Sequence, residues 1–326
     1  MVIVGLVGFA GVVVFGLLYI VFFLKGASLK LPVIGMAVFA LVIAAAALLP
    51  RLEIALPDLP FIGGGPLQTA QTEGPEGTES EPPGAGGLPR QVLLDKRGLV
   101  ITATGLNENG AQGPALDLSI ENRSEADVTI ETRDVSVNGY MMDALFSVTV
   151  PAGRKAEGSI LFLASRMERS GIETIADMEF SFHILDQNRV AFLDSGAVTV
   201  RTPAADTYQY TFDDSGEELY SENGVRIVSK GFSGSGSVFG PGLVLFLENT
   251  TDRAITVQAR DVSVNGTAAD VIFSEDVLAG KRSAAAVTLI GLSLEEIRDM
   301  KFRLHVVDRD QRTTLFDTES FTVRAD

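Results

Sequence analysis

A duplicated block constrains the fold of this chain more than any other sequence feature. The hexapeptide Asp-Val-Ser-Val-Asn-Gly occupies residues 134–139 and returns at 261–266, an interval of 127 residues. Further along, the copies align at a shift of 122 residues, so the only two histidines, His183 and His305, fall on equivalent positions. The chain therefore uses one module twice, and each copy of about 110 residues has the size of a single domain.

Apolar residues within each copy follow the period of a β-strand. Phe180, Phe182 and Ile184 alternate with residues that can face solvent, and residues 302–306 repeat the pattern. About seven to nine such short runs per copy, separated by Gly, Pro, Asn and Asp, indicate an antiparallel sandwich of immunoglobulin-like type. The chain has no Cys and no Trp, so aliphatic residues and Phe must build its core.

The phase of this alternation changes within the signature block. Val128 and Ile130 fall on one phase, whereas Val135 and Val137 fall on the other. A straight strand would turn one pair towards water, so we predict a β-bulge followed by a tight Asn-Gly hairpin that uses positive φ angles. The signature is therefore predicted to maintain the fold rather than to bind a partner. Its residues are Arg133, Asp134, Asn138 and Gly139, and in the second copy Arg260, Asp261, Asn265 and Gly266.

One stretch in each copy departs from the β pattern. Residues 165–175 and 293–298 predict a short helical crossover. In the second copy Ser293 is the expected N-cap, and Glu295 and Glu296 occupy the first turn, where a carboxylate stabilises the helix dipole.

Two uncharged apolar runs precede the repeats. Residues 2–24 and 31–49 are each long enough to cross a hydrocarbon core of about 30 Å as a helix, and the gap between them carries Lys25 and Lys30. A signal peptide is the rival interpretation of the first run. We expect a transmembrane hairpin with both lysines in the cytoplasm. This predicts a two-helix multi-pass plasma-membrane protein that contacts the lipid bilayer through residues 2–49, with its C-terminal domains outside the cytoplasm.

The predicted fold class is thus a pair of tandem all-β immunoglobulin-like antiparallel sandwiches preceded by an α-helical transmembrane hairpin. A segment rich in Pro and Gly separates the two parts and is expected to be a disordered linker. The predicted domains are a transmembrane hairpin over 1–50, a linker over 51–90, a first sandwich over 91–202, a short connection over 203–207 and a second sandwich over 208–326.

Several motifs carry a resemblance to a known group of proteins. They are the Arg-Asp-Val-Ser-Val-Asn-Gly block, a Phe-Ser pair at 146–147 and 273–274, a Val-x-Ala-Gly turn, and a strand that ends in His-x-x-Asp. Together they resemble a repeat of uncharacterised membrane-anchored envelope proteins of Gram-positive bacteria. The resemblance implies an extracytoplasmic immunoglobulin-like repeat and implies no reaction. Lipoproteins of that group carry an anchoring Cys, which this chain lacks, so the apolar hairpin would have to replace it.

Composition excludes some functions and leaves others open. The formal net charge of −16 repels nucleic acid, because nucleic-acid affinity depends on neutralising phosphates with Lys and Arg. No cofactor and no metal site is predicted. His183 and His305 are expected to be structural, with a pH-linked or metal-linked role as the alternative. The acidic residues 213–218 are expected to form a solvated hairpin turn, with calcium binding as the alternative.

Binding is best sought where the two copies differ. Tyr140, Met141 and Met142 form the candidate interaction surface, because Thr267-Ala268-Ala269 stands at the equivalent place. The favoured hypothesis is a binding or scaffolding protein for an unknown extracellular protein, peptide or cell-wall polymer. The alternative is an accessory subunit that docks a transporter or signalling partner through its hairpin. An enzyme is not expected, since no nucleophile elbow surrounds the serines of the repeat.

Overall fold

The computed structural model describes residues 87–234 and 240–325, and almost all of this part consists of β-strands. The strands of the first repeat are β1 (Gln91–Lys96), β2 (Leu99–Asn107), β3 (Ala115–Asn122), β4 (Val128–Val137), β5 (Tyr140–Met141), β6 (Ala144–Leu145), β7 (Ser147–Val150), β8 (Arg154–Phe162), β9 (Asp177–Asp186) and β10 (Ala191–Arg201). The strands of the second repeat are β11 (Glu217–Glu222), β12 (Val225–Ser233), β13 (Gly242–Asn249), β14 (Ile255–Val264), β15 (Thr267–Ala268), β16 (Val271–Ile272), β17 (Ser274–Val277), β18 (Arg282–Leu289), β19 (Asp299–Asp308), β20 (Thr313–Asp317) and β21 (Phe321–Arg324).

Each repeat is a sandwich of two antiparallel sheets. In the first repeat one sheet has the order β1-β2-β3-β8-β6, and the other contains β10-β9-β4-β5 with β7 paired to β4. The second repeat has the equivalent sheets, β11-β12-β13-β18 with β16, and β15-β14-β19 with β17, β20 and β21. Alternate side chains from both sheets form the core, as Ile101 and Ile120 meet Ile130 and Phe180 with at most 1% of their surface exposed. The predicted antiparallel sandwich is found in both repeats.

The structure corrects the predicted fold class and localisation. Its one α-helix in the described part is α1 (Ala164–Arg169), and no helix among residues 87–234 and 240–325 is long and apolar enough to cross a membrane. Apolar side chains there alternate along strands, so they face sandwich cores rather than lipid. The fold class is therefore all-β and sandwich-like in this part, and the prediction of a two-helix multi-pass membrane protein is withdrawn. The hairpin predicted over 1–50 and most of the linker predicted over 51–90 lie outside the described residues.

One sheet runs through both repeats. The edge strand β5 of the first repeat pairs in parallel with β18 of the second, at Tyr140 and Arg282. The backbone N–H of Arg282 donates to the carbonyl of Gly139 at 2.9 Å. This pairing joins sheets from the two sandwiches into a single ten-stranded sheet, so the repeats form a continuous structure.

The predicted bulge is confirmed in both signature blocks. The register against the neighbouring strand shifts between Arg133 and Ser136 in β4, and at the same place in β14. The bulge residue Asp134 has a φ of 57°. The hairpin that follows has positive φ at both central positions, 50° at Asn138 and 80° at Gly139, which is the geometry that an Asn-Gly turn favours.

The asparagine of each hairpin also fastens the crossover segment. Asn138 donates from Nδ2 to the carbonyl of Thr174 at 2.8 Å, and its Oδ1 accepts the N–H of Ala176 at 2.8 Å. Asn265 repeats this pattern on the carbonyl of Glu296 and the N–H of Arg298, at 2.7 and 2.9 Å. Asn138 and Asn265 therefore connect the hairpin to the crossover segment in the same way in both copies.

The crossovers are helical, as predicted, but they differ in kind. The first contains α1, whereas the second contains only a 3₁₀ turn over Leu294–Glu296. Ser293 precedes this turn as its N-cap, and its N–H and hydroxyl both donate to Glu296 Oε2, at 2.7 and 2.9 Å. These bonds lower the pKa of Glu296 below its usual value, the backbone bond having the largest effect.

Candidate functional site

The candidate interaction surface lies between the two repeats. Only 1% of Tyr140, 7% of Met141 and 6% of Met142 is exposed. Tyr140 and Met142 belong to the core of the first repeat, whereas Met141 packs into the core of the second. In this structure the three side chains thus make an interface within the chain, which we call the repeat junction.

Aromatic rings surround Tyr140 in the repeat junction. The rings of Tyr210 and Phe212 lie 5.8 Å from it, and Phe246 lies 6.2 Å away. Burial is the main reason why the pKa of Tyr140 is raised above its ordinary value. Tyr210 and Phe212 belong to the irregular segment between β10 and β11, so the chain that links the repeats fills part of the space between them.

A buried arginine crosses the repeat junction from α1. Arg166 is 4% exposed and donates from Nη1 to the carbonyl of Ala284 at 2.9 Å. Its Nη2 pairs with the carboxylate of Glu275, and Nε lies 3.2 Å from Oδ2 of Asp143 without hydrogen-bond alignment. Because a buried guanidinium is costly without partners, these contacts fix the orientation of the second repeat against α1.

Charge pairs form the rim of the repeat junction. Lys281 Nζ lies 3.2 Å from Glu179 Oε1, and Arg309 Nη1 donates to Oδ1 of the bulge residue Asp134 at 2.6 Å. The guanidinium of Arg282 stacks 3.6 Å from the ring centroid of Phe212. Lys281 and Arg309 belong to the second repeat, and their carboxylate partners Glu179 and Asp134 belong to the first. The charges are therefore complementary across the junction.

The equivalent bulge aspartate of the second repeat has its cation within the same repeat. Asp261 Oδ2 accepts from Arg303 Nε at 2.5 Å. The position equivalent to Arg303 in the first repeat is Ser181, which provides no charge. Arg309 thus takes the place that Arg303 has in the other copy.

Both histidines pair with an aspartate on the neighbouring strand. His183 Nδ1 lies 2.6 Å from Asp194 Oδ1, and His305 Nδ1 lies 2.8 Å from Asp317 Oδ1. Each histidine thus has a carboxylate partner within its own sheet. The described residues contain no group of three or more His, Asp or Glu side chains that could hold a metal ion.

Three of the four acidic residues in 213–218 pair with nearby cations. Asp213 Oδ2 lies 2.7 Å from Lys230 Nζ, and Arg226 pairs with Asp214 at 2.7 Å and with Glu218 at 2.8 Å. The hydrogen bond from Lys230 is the largest cause that lowers the pKa of Asp213 to about 2. The predicted hairpin turn is absent here, because residues 208–212 are not a strand and β11 pairs with β12.

The second repeat leaves open the face that its twin buries. Thr267 and Ala268 are exposed where Tyr140 and Met141 are buried. A groove of about 680 Å³ lies here, with Thr267, Ala268 and Ala269 on one side and residues of the crossover, including Glu295 and Arg298, on the other. We call it the β15 groove.

Sequence reasoning missed Arg166, Arg309 and the aromatic segment that contains Tyr210. A signal for the junction was nevertheless present. The outer face of β12, β13 and β18 carries Val228, Phe246 and Ala284, and the equivalent residues of the first repeat are Thr102, Ser119 and Glu157. Apolar residues on an outer face of one copy alone indicate that something covers that face.

The chain has few informative similarities to known proteins. No protein-family model and no curated protein matches the chain. Among solved structures, the YadV chaperone is 14% identical over 70% of this chain and 99% of its own, with a TM-score of 0.22. The SafA pilin with the SafB chaperone of Salmonella enterica is 12% identical over 64% of this chain and 88% of its own, with a TM-score of 0.20. The CupB2 chaperone of Pseudomonas aeruginosa is 13% identical over 65% of this chain and 92% of its own, with a TM-score of 0.18. With TM-scores this low, the immunoglobulin-like architecture rests on the sheet order alone.

Proposed function

We propose that the two repeats act together as one rigid binding or scaffolding module for a protein or peptide partner. The main support for this proposal is the repeat junction, in which β5 pairs with β18 and Tyr140 is almost completely buried. Two domains that move independently would need no such interface, whereas a scaffold that presents two binding faces at a fixed angle requires one.

The connection between the repeats supports this proposal. Thr202 donates from Oγ1 to the carbonyl of Ile175 at 2.7 Å and accepts the N–H of Ala204 at 3.2 Å. A 3₁₀ turn over Pro203–Asp206 follows, and the hydroxyl of Tyr210 then donates to the carbonyl of Ser170. The linking segment is thus bonded to the first repeat at Thr202 and again at Tyr210, which limits hinge motion.

The titratable side chains support binding rather than catalysis. The histidine of each repeat is paired with an aspartate on the adjacent strand in the same way. Because the same His–Asp pair occurs in both sandwiches, we interpret it as a structural contact between neighbouring strands. Two copies of a domain that have diverged in sequence rarely both keep a catalytic site. We therefore propose that the module has no enzymatic activity of its own.

Double electron–electron resonance between two spin labels can measure how rigidly the two repeats are held together. The chain has no cysteine, so spin labels at Glu157→Cys and Thr314→Cys will report one distance between the repeats. We expect one narrow distance distribution for the full chain. Tyr140→Ala should broaden it and Thr267→Ala should not, because only the first is in the repeat junction.

Crosslinking in cells tests the binding role. A partner that needs both repeats at a fixed angle should be captured by the unsubstituted chain and by Arg154→Glu, the same charge reversal at the exposed position equivalent to Lys281. Capture should be lower for Tyr140→Ala and for the rim variant Lys281→Glu. A broad distance distribution in the unsubstituted chain, or equal capture by all four proteins, would contradict the proposed function.

A further inference from the structure

The β15 groove of the second repeat corresponds to a surface of the first repeat that is contacted by another segment of the chain. Tyr208, Tyr210 and Phe212 lie beside Asn138 and Ala176 in the first repeat. The residues equivalent to Asn138 and Ala176 are Asn265 and Arg298, and both line the β15 groove. In the first repeat this site is thus bordered by an irregular segment with aromatic side chains at alternate positions.

We propose that the β15 groove binds an extended segment of a separate protein, with aromatic side chains at alternate positions and basic residues at its ends. This inference rests on the proposed binding function and specifies the partner's chemistry. Thr267, Ala268 and Ala269 are small where Tyr140, Met141 and Met142 fill the junction, so the partner has to supply the bulk.

Backbone pairing is available for such a segment. Strand β5 pairs with β4 on one side and with β18 on the other. Its equivalent β15 pairs with β14, and no second strand pairs with it in the part of the chain that the structure describes. An incoming extended segment can therefore add to the free edge of β15, with its alternate side chains directed into the groove.

The charges of the groove select for basic flanking residues. Asp270, Glu295 and Glu296 line it, against the single cation of Arg298. Complementary charge raises the rate of association and rejects acidic competitors. Beside the equivalent surface of the first repeat, Arg282 of β18 stacks on Phe212 of the aromatic segment, so a cation and an aromatic ring already meet there.

A second copy of this chain fits the groove poorly. Head-to-tail contact would place the β15 edge on β8 of another molecule, where Glu157 replaces Ala284 and Ser119 replaces Phe246. It would also bring Lys301 towards Arg154, the equivalents of Glu179 and Lys281. A repulsive pair would thus replace an attractive one, and the apolar face would be missing, so we assign the groove to a different protein.

The probe is a dye-labelled peptide Lys-Tyr-Gln-Tyr-Thr-Phe-Lys, titrated with the full chain and followed by fluorescence anisotropy. We expect saturable binding that Ala268→Trp weakens at least about tenfold, because the indole fills the groove. Glu295→Lys should weaken it severalfold, and serves as a second variant should the tryptophan disturb folding. Glu157→Lys is the matched control, an equal charge change on an exposed site of the first repeat, and should leave binding unchanged. A peptide with Ala at the three aromatic positions should not bind.

Three results would overturn the proposal. One is absence of peptide binding up to about 1 mM chain. Another is binding that neither Ala268→Trp nor Glu295→Lys weakens. The last is self-association of the full chain that Ala268→Trp abolishes, which would make a second copy the occupant. Each is independent of the distance measurement on the repeat junction, so the groove can fail while the rigid module stands.

Discussion

The two repeats build the same sandwich but expose opposite surfaces. In the first repeat the hairpin tip is apolar and buried, and the outer face of β3 and β8 is polar and solvated. In the second repeat the outer face of β13 and β18 is apolar and buried, as at Phe246, whereas the hairpin tip at Thr267 is exposed. The apolar residues at Tyr140 and Phe246 thus lie where the two repeats meet, and polar residues stand at the equivalent positions of the other copy.

This difference shows that the two copies meet through unlike surfaces. The apolar hairpin tip of the first copy and the apolar outer face of the second both lie in the repeat junction, and the equivalent positions of the other copy hold small or polar residues. The predictions that follow test the comparison, from the largest expected effect to the smallest.

Tyr140→Ala should show the largest difference between the repeats. Removing a fully buried aromatic side chain costs about 3–5 kcal/mol of unfolding free energy, because of lost burial and the cavity left behind. Thr267→Ala, at the equivalent exposed position, should change it by less than about 0.5 kcal/mol. Urea unfolding followed by circular dichroism measures both. Equal costs for the two variants would show that the hairpin tips are not differently packed.

Arg166→Ala should also weaken the junction strongly. It removes a buried guanidinium and leaves the Glu275 carboxylate, whose side chain is 16% exposed, without its cation. We expect a loss of about 3 kcal/mol in unfolding free energy, because an uncompensated charge remains in a nearly dry site. The control is Arg123→Ala, which removes an exposed partner of Glu121 and should not change unfolding measurably. A minor effect of Arg166→Ala would place the orienting contacts elsewhere.

Asn138→Ala and Asn265→Ala compare one hydrogen-bond pattern in two environments. Asn138 is 6% exposed and Asn265 is on the surface. Loss of the buried amide should cost about 1–3 kcal/mol, since the N–H of Ala176 and the carbonyl of Thr174 lose their partner away from water. The exposed amide should cost about 1 kcal/mol or less, because water can replace it. Urea titrations that give the reverse order would contradict the difference in burial.

The smallest effect is expected from Asp213→Asn at low pH. The pKa of Asp213 in the folded chain is depressed to about 2 by Lys230, below its usual value in an unfolded chain. Its contribution to stability is therefore present above pH ~4 and lost as the pH falls through ~2. Because the side chain is 66% exposed, screening keeps this contribution below about 1 kcal/mol.

The measurement for Asp213 is the unfolding midpoint between pH 2 and 6. The unsubstituted chain should lose slightly more stability on acidification than Asp213→Asn does. Glu157→Gln is the control, an exposed carboxylate of the first repeat that makes no ion pair with described residues, and it should follow the unsubstituted chain. If the unfolding midpoints of the unsubstituted chain and of Asp213→Asn fall identically below pH ~4, the ion pair between Asp213 and Lys230 contributes nothing to stability.

The sequence by itself determined the local features of this protein. The duplication, the strands, the bulge before Ser136 and the Asn-Gly hairpin could be predicted because each depends on neighbouring residues, through period-two alternation or a requirement for positive φ. The divergence at Tyr140, Met141 and Met142 predicted a surface for a separate partner, and in the structure these side chains lie between the two repeats. The sequence could not say what contacts these three side chains, because the identity of the residues does not specify a partner that is distant in the chain.

Only the tertiary structure decided how the two copies meet. Arg166 and Ala284 are 118 positions apart, and their contact follows from the docking of whole sheets rather than from any spacing in the chain. The same holds for Arg309 on Asp134, 175 positions apart, which replaces an arginine that the second repeat supplies locally. Long-range contacts of this kind depend on the relative placement of two finished sandwiches, and neither hydrophobic periodicity nor turn chemistry encodes it.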